Sequence, residues 1–200
     1  TGTEVTFTSD HPERYISQIL RDNKAPKIEG MPPFTGGLVG YFAYDFIKYA
    51  EPTLRLTATD DDDFYDFDVM LFDKVIVFDN LAQRIYLIVN VRLDSVKENY
   101  NRAVMTLDMM EALLREGKKA EPEPLHLTSD FTPLFSKEEY CHAVERAKEY
   151  IREGDIFQVV LANRLRAKGK GSLLDTYRIL RTVNPSPYMF FFSGDQVELA

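Results

Sequence analysis

The chain has no tryptophan and one cysteine, Cys141, among its 200 residues. A single thiol cannot build an intrachain disulfide framework, and such scarcity suits a reducing cytoplasmic setting. No apolar run reaches the ~18 residues that a membrane-spanning helix needs. No basic stretch followed by an apolar core opens the chain as a secretion signal would. Cations are in the minority: 24 Lys and Arg stand against 32 Asp and Glu, for a net charge of −8. That balance disfavours a general nucleic-acid binder, so neither nucleic acid nor membrane is expected as a partner. CxxC, HExxH, GxSxG and Walker signatures are all absent, which removes the usual motifs of structural zinc, metalloprotease, serine hydrolase and phosphate-loop chemistry.

What the chain does have is 44% hydrophobic and 12% aromatic residues, enough for one domain or two small ones with a real core. It opens on Thr1-Gly2-Thr3 and stops at Glu198-Leu199-Ala200, directly after an apparent strand. The length is therefore expected to be that of a piece rather than a whole gene product. In DHPERYISQILRDN, Asp10 can cap a helix, with Glu13 in the box position and Tyr15, Ile16, Ile19 and Leu20 as its apolar stripe. Leu38 to Ala43 reads as a strand in which Gly40 marks a bulge or a close backbone approach. A short helix follows over Asp45 to Ala50. DVMLFDKVIVFD and RIYLIVNV read as long strands of an antiparallel meander, turned by Asp79 to Gln83. Val96, Tyr100, Val104, Leu107, Met110 and Leu114 step at helical spacing, and Gly117 can end that helix.

GKKAEPEPL reads as a linker, giving units of 1–120 and 131–200 joined by 121–130. Ser136 and Glu139 then form a capping box. The helix stripe is Tyr140, Val144, Ala147 and Ile151, and Gly154 is placed for a left-handed cap. DIFQVVLANRLRA is apolar on both faces, which predicts a central strand. Ser172 to Val183 reads as a helix capped by Ser172 with Asp175 in the box position. Tyr188 to Phe192 and Val197 to Ala200 read as strands about a Gly194-Asp195 turn. Strand clusters and long helices without regular βαβ alternation give an α+β class with antiparallel sheets covered by helices.

Few residues point to chemistry by themselves. Cys141 and His142 are helix neighbours that face different ways, so they make no thiol–imidazole pair. Asp60 to Asp63 lacks the spaced ligands and glycine of a calcium loop and reads as a solvated charge run. Gln158 lies mid-strand among apolar residues, where its amide needs partners from the protein, a water or a ligand. NPSPYMFFF is either a helix stop leading into a core strand or a stiff aromatic corner able to hold a flat apolar ligand.

GGLVGYFAYD, YIREGDIFQVVLANR and NPSPYMFFF, in that order, resemble the large (component I) subunits of anthranilate synthases, within the chorismate-utilising enzymes. The likeness runs from about Phe34 to Ala200. It implies a magnesium-dependent lyase that adds ammonia to chorismate and eliminates pyruvate to leave anthranilate, the first step of tryptophan biosynthesis. The ammonia would come from glutamine through a glutamine amidotransferase subunit, in the cytoplasm. The resemblance also implies a large α+β fold of stacked antiparallel sheets, incomplete in this chain. Residues 1–120 would belong to the N-terminal domain and 131–200 to the first part of the catalytic domain.

Within the family, water-using relatives carry a lysine at the position of Gln158, where it activates the nucleophile. A neutral amide cannot act as that base, so Gln158 implies the ammonia-using branch and a catalytic position. In that branch NPSPYMFFF resembles the feedback site for tryptophan, with Asn184, Pro185, Pro187, Tyr188, Met189 and Phe190 on the motif. Pro187, Tyr188 and Met189 would line the indole pocket, while Asn184 and Pro185 set the loop. The pocket's other half resembles an L-L-E-S motif that this chain lacks. The alternatives are the aminodeoxychorismate synthases of folate synthesis, distinguished by a lysine in a downstream P-I-x-G-T motif, and a tryptophan-binding regulatory module.

The strand from Val197 would continue into a G-A-S-P-E motif, and the family's magnesium-binding glutamates lie further on. No metal ligand is therefore expected among these residues. A metal-dependent elimination needs carboxylates to hold the ion over the substrate. The 200 residues alone are thus expected to show no synthase activity; measurable chorismate consumption by the purified chain with magnesium and ammonium would contradict this.

Overall fold

The computed structural model describes residues 7–51, 53–56 and 62–200. Thr1 to Thr3 and the first two carboxylates of the Asp60–Asp63 run lie outside the described residues. The chain divides into two compact units, Thr1–Lys119 and Ala120–Ala200.

In the first unit, α1 spans Pro12–Asp22. Asp10 is not its cap. His11 holds that position without a side-chain cap, and its N–H donates to Ser9 Oγ at 3.0 Å. The reason is Pro12: its fixed φ and missing donor suit the first helical position, which sets the boundary one residue later. Strand β1 (Gly37–Phe42) runs antiparallel to β2 (Phe67–Phe72) in unbroken register, from Gly37 opposite Phe72 to Phe42 opposite Phe67. Gly40 is thus no bulge but a close approach. A Cβ there would lie 1.9 Å from the Asp68 carbonyl oxygen, a distance no side chain tolerates.

After β1 come a single 3-10 turn (Tyr44–Phe46) and α2 (Ile47–Ala50). Phe46 packs edge-on against Phe67 at 5.6 Å, and Phe42 stacks on Phe67 at 5.7 Å. The Asp66 carboxylate accepts from Lys48 Nζ at 2.8 Å and from the Tyr49 hydroxyl at 2.7 Å, while its carbonyl accepts from Ala43 N–H at 2.8 Å. One residue thereby ties α2 to the start of β2.

DVMLFDKVIVFD is two strands, not one. β3 (Lys74–Asp79) leaves β2 at Asp73 and pairs with β4 (Arg84–Val89) in a separate antiparallel ribbon. Asn90 holds the break: its N–H donates to the Asp73 carbonyl at 2.7 Å, and its side-chain amide donates to Thr35 O at 2.7 Å. In the β3–β4 turn the Asp79 carboxylate accepts from the N–H groups of Leu81 and Ala82 at 3.1 and 2.9 Å, and Gln83 takes a positive φ of 54°. Helix α3 (Val96–Glu116) packs on β4 and buries Ala103. Its expected stripe is displaced, with Val96, Tyr100, Val104 and Leu114 exposed. A two-stranded ribbon is narrow, so the helix approaches it through the small Ala103. Gly117 ends α3 in extended conformation, with φ −61° and ψ 141°, rather than in a left-handed cap.

In the second unit, His126 and Leu127, inside the stretch read as a linker, are paired. β5 (His126–Leu127) pairs with β8 (Gly169–Lys170), and β6 (Thr132–Pro133), which lies beyond that stretch, pairs with β7 (Leu165–Arg166). Helix α4 (Lys137–Glu153) begins with the full capping box: Glu139 N–H donates to Ser136 Oγ at 3.2 Å, and Ser136 N–H donates to Glu139 Oε2 at 2.8 Å. Those bonds, the backbone one foremost, hold the Glu139 carboxyl below its ordinary value. Gly154 closes the helix at φ 83°. Along the stripe, Tyr140, Val144 and Ala147 are half-buried and Ile151 is exposed.

The central strand expected in DIFQVVLANRLRA is not formed. Only Leu165 and Arg166 lie in a strand, and residues 155–164 form none. Helix α5 (Leu174–Val183) is followed by an irregular corner. Then β9 (Phe192–Ser193) pairs antiparallel with β10 (Glu198–Leu199), so the expected strand over Tyr188 to Phe192 is reduced to its last residue. The class is nonetheless α+β with small antiparallel sheets, all two-stranded among the described residues.

The Asp66 cluster has a pH signature. Partial burial raises the Asp66 carboxyl, but the hydrogen bonds from Lys48 and Tyr49 and the Lys48 charge together hold it below its ordinary value. A depressed folded-state value means that the unfolded chain binds the proton first. The stabilisation is complete above the unfolded carboxyl value of about 3.9 and is lost as pH falls through the lowered one. Asp66→Asn is expected to lower stability at pH 7 by about 1 kcal/mol and to flatten the acid limb of a melting-temperature profile between pH 2 and about 4. Superimposable acid limbs for the two proteins would overturn the assignment.

Candidate functional site

The corner after α5 builds a concave site within the second unit. Asn184 ends α5: its N–H still donates to Leu180 O at 2.9 Å, but its φ of −138° is non-helical, as expected before a proline. Pro185 and Pro187 then stiffen the turn through their fixed φ. The chain doubles back over α5, and the Phe191 ring lies 5.9 Å from that of Tyr177. The result is a cavity of about 210 Å³. Tyr177, Leu180 and Asn184 line it from α5. Ser186, Tyr188, Met189 and Phe190 line it from the corner, and Ala200 from the chain beyond β10.

The start of α5 differs from expectation. Ser172 is not in the cap position, and Asp175 pairs with Arg178 at 2.7 Å instead of reaching back. The first N–H groups are met by two acceptors: Leu174 N–H donates to Ser172 Oγ at 3.1 Å, and Leu173 N–H donates to Glu198 Oε2 at 2.7 Å. The Ser172 hydroxyl also donates to Glu198 Oε1 at 3.0 Å. A carboxylate from β10 thereby offsets the positive end of the helix.

Chemically the lining is aromatic with one thioether, Met189, and its polar side chains are the Asn184 amide and the hydroxyls of Ser186, Tyr177 and Tyr188. Such a lining favours a small planar ligand that stacks on rings or on a methionine sulfur and is oriented by few hydrogen bonds. Asn184, Tyr188, Met189 and Phe190, which the motif singled out, are brought together here. Pro185 and Pro187 are not lining residues. Tyr177, Leu180 and Ser186 were missed, although Tyr177, Leu180 and Asn184 recur at 3- and 4-residue spacing and so share one helix face.

Gln158 stands outside this cavity. It is exposed on the stretch outside any strand, between Phe157 at 93% exposure and Val160 at 83%. The expected buried amide among apolar neighbours is therefore not what the structure shows, because the sheet that would bury both faces of residues 156–162 is not formed. Among the described residues, no group of three or more His, Cys, Asp or Glu side chains could hold a metal ion. The described residues do not fit a magnesium centre. Among the described residues, too, no helix is long and apolar enough to cross a membrane.

The model of one family, described as chorismate binding enzyme, matches residues 2–200. Anthranilate synthase component 1 of Acinetobacter calcoaceticus is 39% identical over 197 residues, covering 96% of this chain and 39% of that protein. Its Aquifex aeolicus namesake is 36% identical over 201 residues, covering 96% of this chain and 40% of that protein. Among solved structures, anthranilate synthase component I of Streptococcus pneumoniae superposes with a TM-score of 0.71 at 28% identity, covering 88% of this chain and 40% of that one. The chain thus spans about 40% of the length of these relatives. Motifs spread from GGLVGYFAYD to NPSPYMFFF lie inside one family match that runs almost from end to end, and on that match the chain belongs to the chorismate binding enzymes.

Proposed function

We propose that the protein to which this chain contributes is the large subunit of an anthranilate synthase. It converts chorismate and ammonia to anthranilate and pyruvate at the start of tryptophan biosynthesis, in the cytoplasm. The observation that carries this reading is the run of relatives named anthranilate synthase component 1, 35–39% identical over nearly all of this chain in several bacteria. Glutamine at position 158, where a base would serve a water nucleophile, agrees with ammonia as the nucleophile. A glutamine amidotransferase subunit is the proposed ammonia source. Magnesium is the proposed cofactor of the whole enzyme, and no step is assigned to it here.

The cavity of Tyr177, Met189 and Phe190 is the proposed tryptophan feedback site. An indole is planar and apolar with one N–H donor, which suits rings, a thioether and the few polar groups on the cavity wall. The test of the activity is product analysis of the whole enzyme with chorismate, magnesium and ammonium. Anthranilate as the product supports the reading; an aminodeoxychorismate product would move the protein to the neighbouring branch.

Two further outcomes follow from the assigned residues. Met189→Thr removes a lining side chain, and Pro185→Leu releases the loop that carries the lining. Each is expected to raise the tryptophan concentration for half-inhibition about tenfold, equivalent to about 1.4 kcal/mol. Unchanged inhibition curves for both would remove the pocket assignment. Gln158→Lys introduces an amine where the family's water-using members carry one, and is expected to yield a minor hydroxylated product beside anthranilate. A product mixture free of it would count against a place for Gln158 beside the nucleophile.

A further inference from the structure

We infer that Glu198 is a positioning residue for the aromatic cavity, acting by tying β10 to the first turn of α5. The cavity has walls on α5 and on the residue that follows β10. Tyr177, Leu180 and Asn184 belong to α5 and its end, and Ala200 lies two residues beyond Glu198. The two walls are separated in sequence by the Pro-rich corner, so the corner alone does not set their spacing. The Glu198 carboxylate spans them directly. It accepts from Leu173 N–H at 2.7 Å and from the Ser172 hydroxyl at 3.0 Å, and Ser172 in turn accepts from Leu174 N–H at 3.1 Å.

Three features make this more than a helix cap. The acceptor comes from a strand 25 residues away, whereas an ordinary cap is local. Leu173 N–H donates a charge-assisted bond to a half-buried carboxylate, the stronger class of hydrogen bond. The strand that carries Glu198 is itself held in register, with Glu198 opposite Ser193 and Leu199 opposite the buried Phe192. The β9–β10 pair therefore provides a fixed platform, and the carboxylate transmits its position to α5. Tyr177 lies one turn on from Leu173, to whose carbonyl its N–H donates at 2.8 Å. A shift at the first turn is thus passed to a ring on the cavity wall.

The experiment uses the whole enzyme with three substitutions, Glu198→Ala, Glu198→Gln and Ser172→Ala. Two readouts are taken: tryptophan affinity by calorimetry, and the methyl signal of Met189 in methionine-labelled protein without ligand. Met31, Met70, Met105, Met109 and Met110 belong to the other unit and serve as internal references. Glu198→Ala is expected to weaken tryptophan binding about tenfold and to move or broaden the Met189 signal while the references stay in place. Glu198→Gln keeps an acceptor for Leu173 N–H and is expected to restore affinity to within about threefold. Ser172→Ala removes the acceptor for Leu174 N–H and one of the two bonds to Glu198 but leaves the Glu198–Leu173 bond, and is expected to lower the melting temperature with a smaller change in either readout than Glu198→Ala.

If Glu198→Ala and Ser172→Ala lower the melting temperature alike and leave both Met189 and the affinity unmoved, Glu198 is only a cap and the inference falls. The affinity arm rests on the tryptophan reading of the cavity, whereas the methyl arm does not. If the unaltered enzyme binds no tryptophan, that reading fails on its own, and the Met189 signal still decides the role of Glu198. Should Glu198→Ala not fold, Glu198→Asp shortens the bridge by one methylene and is expected to displace the same signal to a smaller extent; an unmoved signal there overturns the inference equally.

Discussion

A two-stranded antiparallel ribbon pairs one edge of each strand and leaves the other edge open. Every sheet among the described residues is of this kind, and much else in the structure follows from it. A ribbon offers a helix only a narrow face, so α3 approaches β4 through Ala103 and leaves most of its larger apolar side chains in solvent. Among the described residues only Ile88, Ala103 and Phe192 are buried, each still 7–8% exposed and each on a strand or on the helix packed against one. With so little area removed from water, hydrophobic burial contributes less here than in a domain with a closed core.

Specific hydrogen bonds between distant residues take on more of the ordering. Asp66 joins α2 to β2, Asn90 fixes the break between the two ribbons of the first unit, and Glu198 joins β10 to α5. In the second unit the Asn163 amide exchanges two bonds with Phe135, donating to its carbonyl at 2.9 Å and accepting from its N–H at 3.0 Å. Tyr140 reaches from α4 to the Leu161 carbonyl at 3.2 Å. These contacts have defined geometry, so each fixes one element against another. That is why a segment outside any strand, such as 155–164, still has a set path at its C-terminal end.

How much was legible in the sequence depended on the range of the interaction that decides each feature. The capping box of Ser136 and Glu139 and the left-handed Gly154 are written within a few residues, and both are found as read. The β3–β4 turn is equally local. Features decided at long range were read less well. The strand expected over residues 155–167 needs hydrogen-bond partners on both edges, and its apolar pattern states a demand for burial without supplying what would meet it. The same holds for α5, where the cap comes from Glu198 and no local pattern announces a carboxylate 25 residues away. The family, by contrast, was legible because its motifs are specific strings that need no folding argument.

The two parts of the proposed site therefore differ in kind. Within residues 172–200 the cavity is shaped by a helix stop at Asn184, two prolines, a ring contact between Tyr177 and Phe191, and a carboxylate bridge. Gln158 has no such support. Its backbone lies outside any strand and its neighbours Phe157 and Val160 are exposed. A side chain can act on a reacting atom only when held to within a fraction of an ångström, which requires a rigid element beneath it. Two apolar faces on the segment that carries Gln158 mean that such rigidity would come from burial on both sides. The cavity walls within residues 172–200 are thus held by contacts within their own unit, whereas the position of Gln158 would be set only when residues 155–164 are built into a sheet.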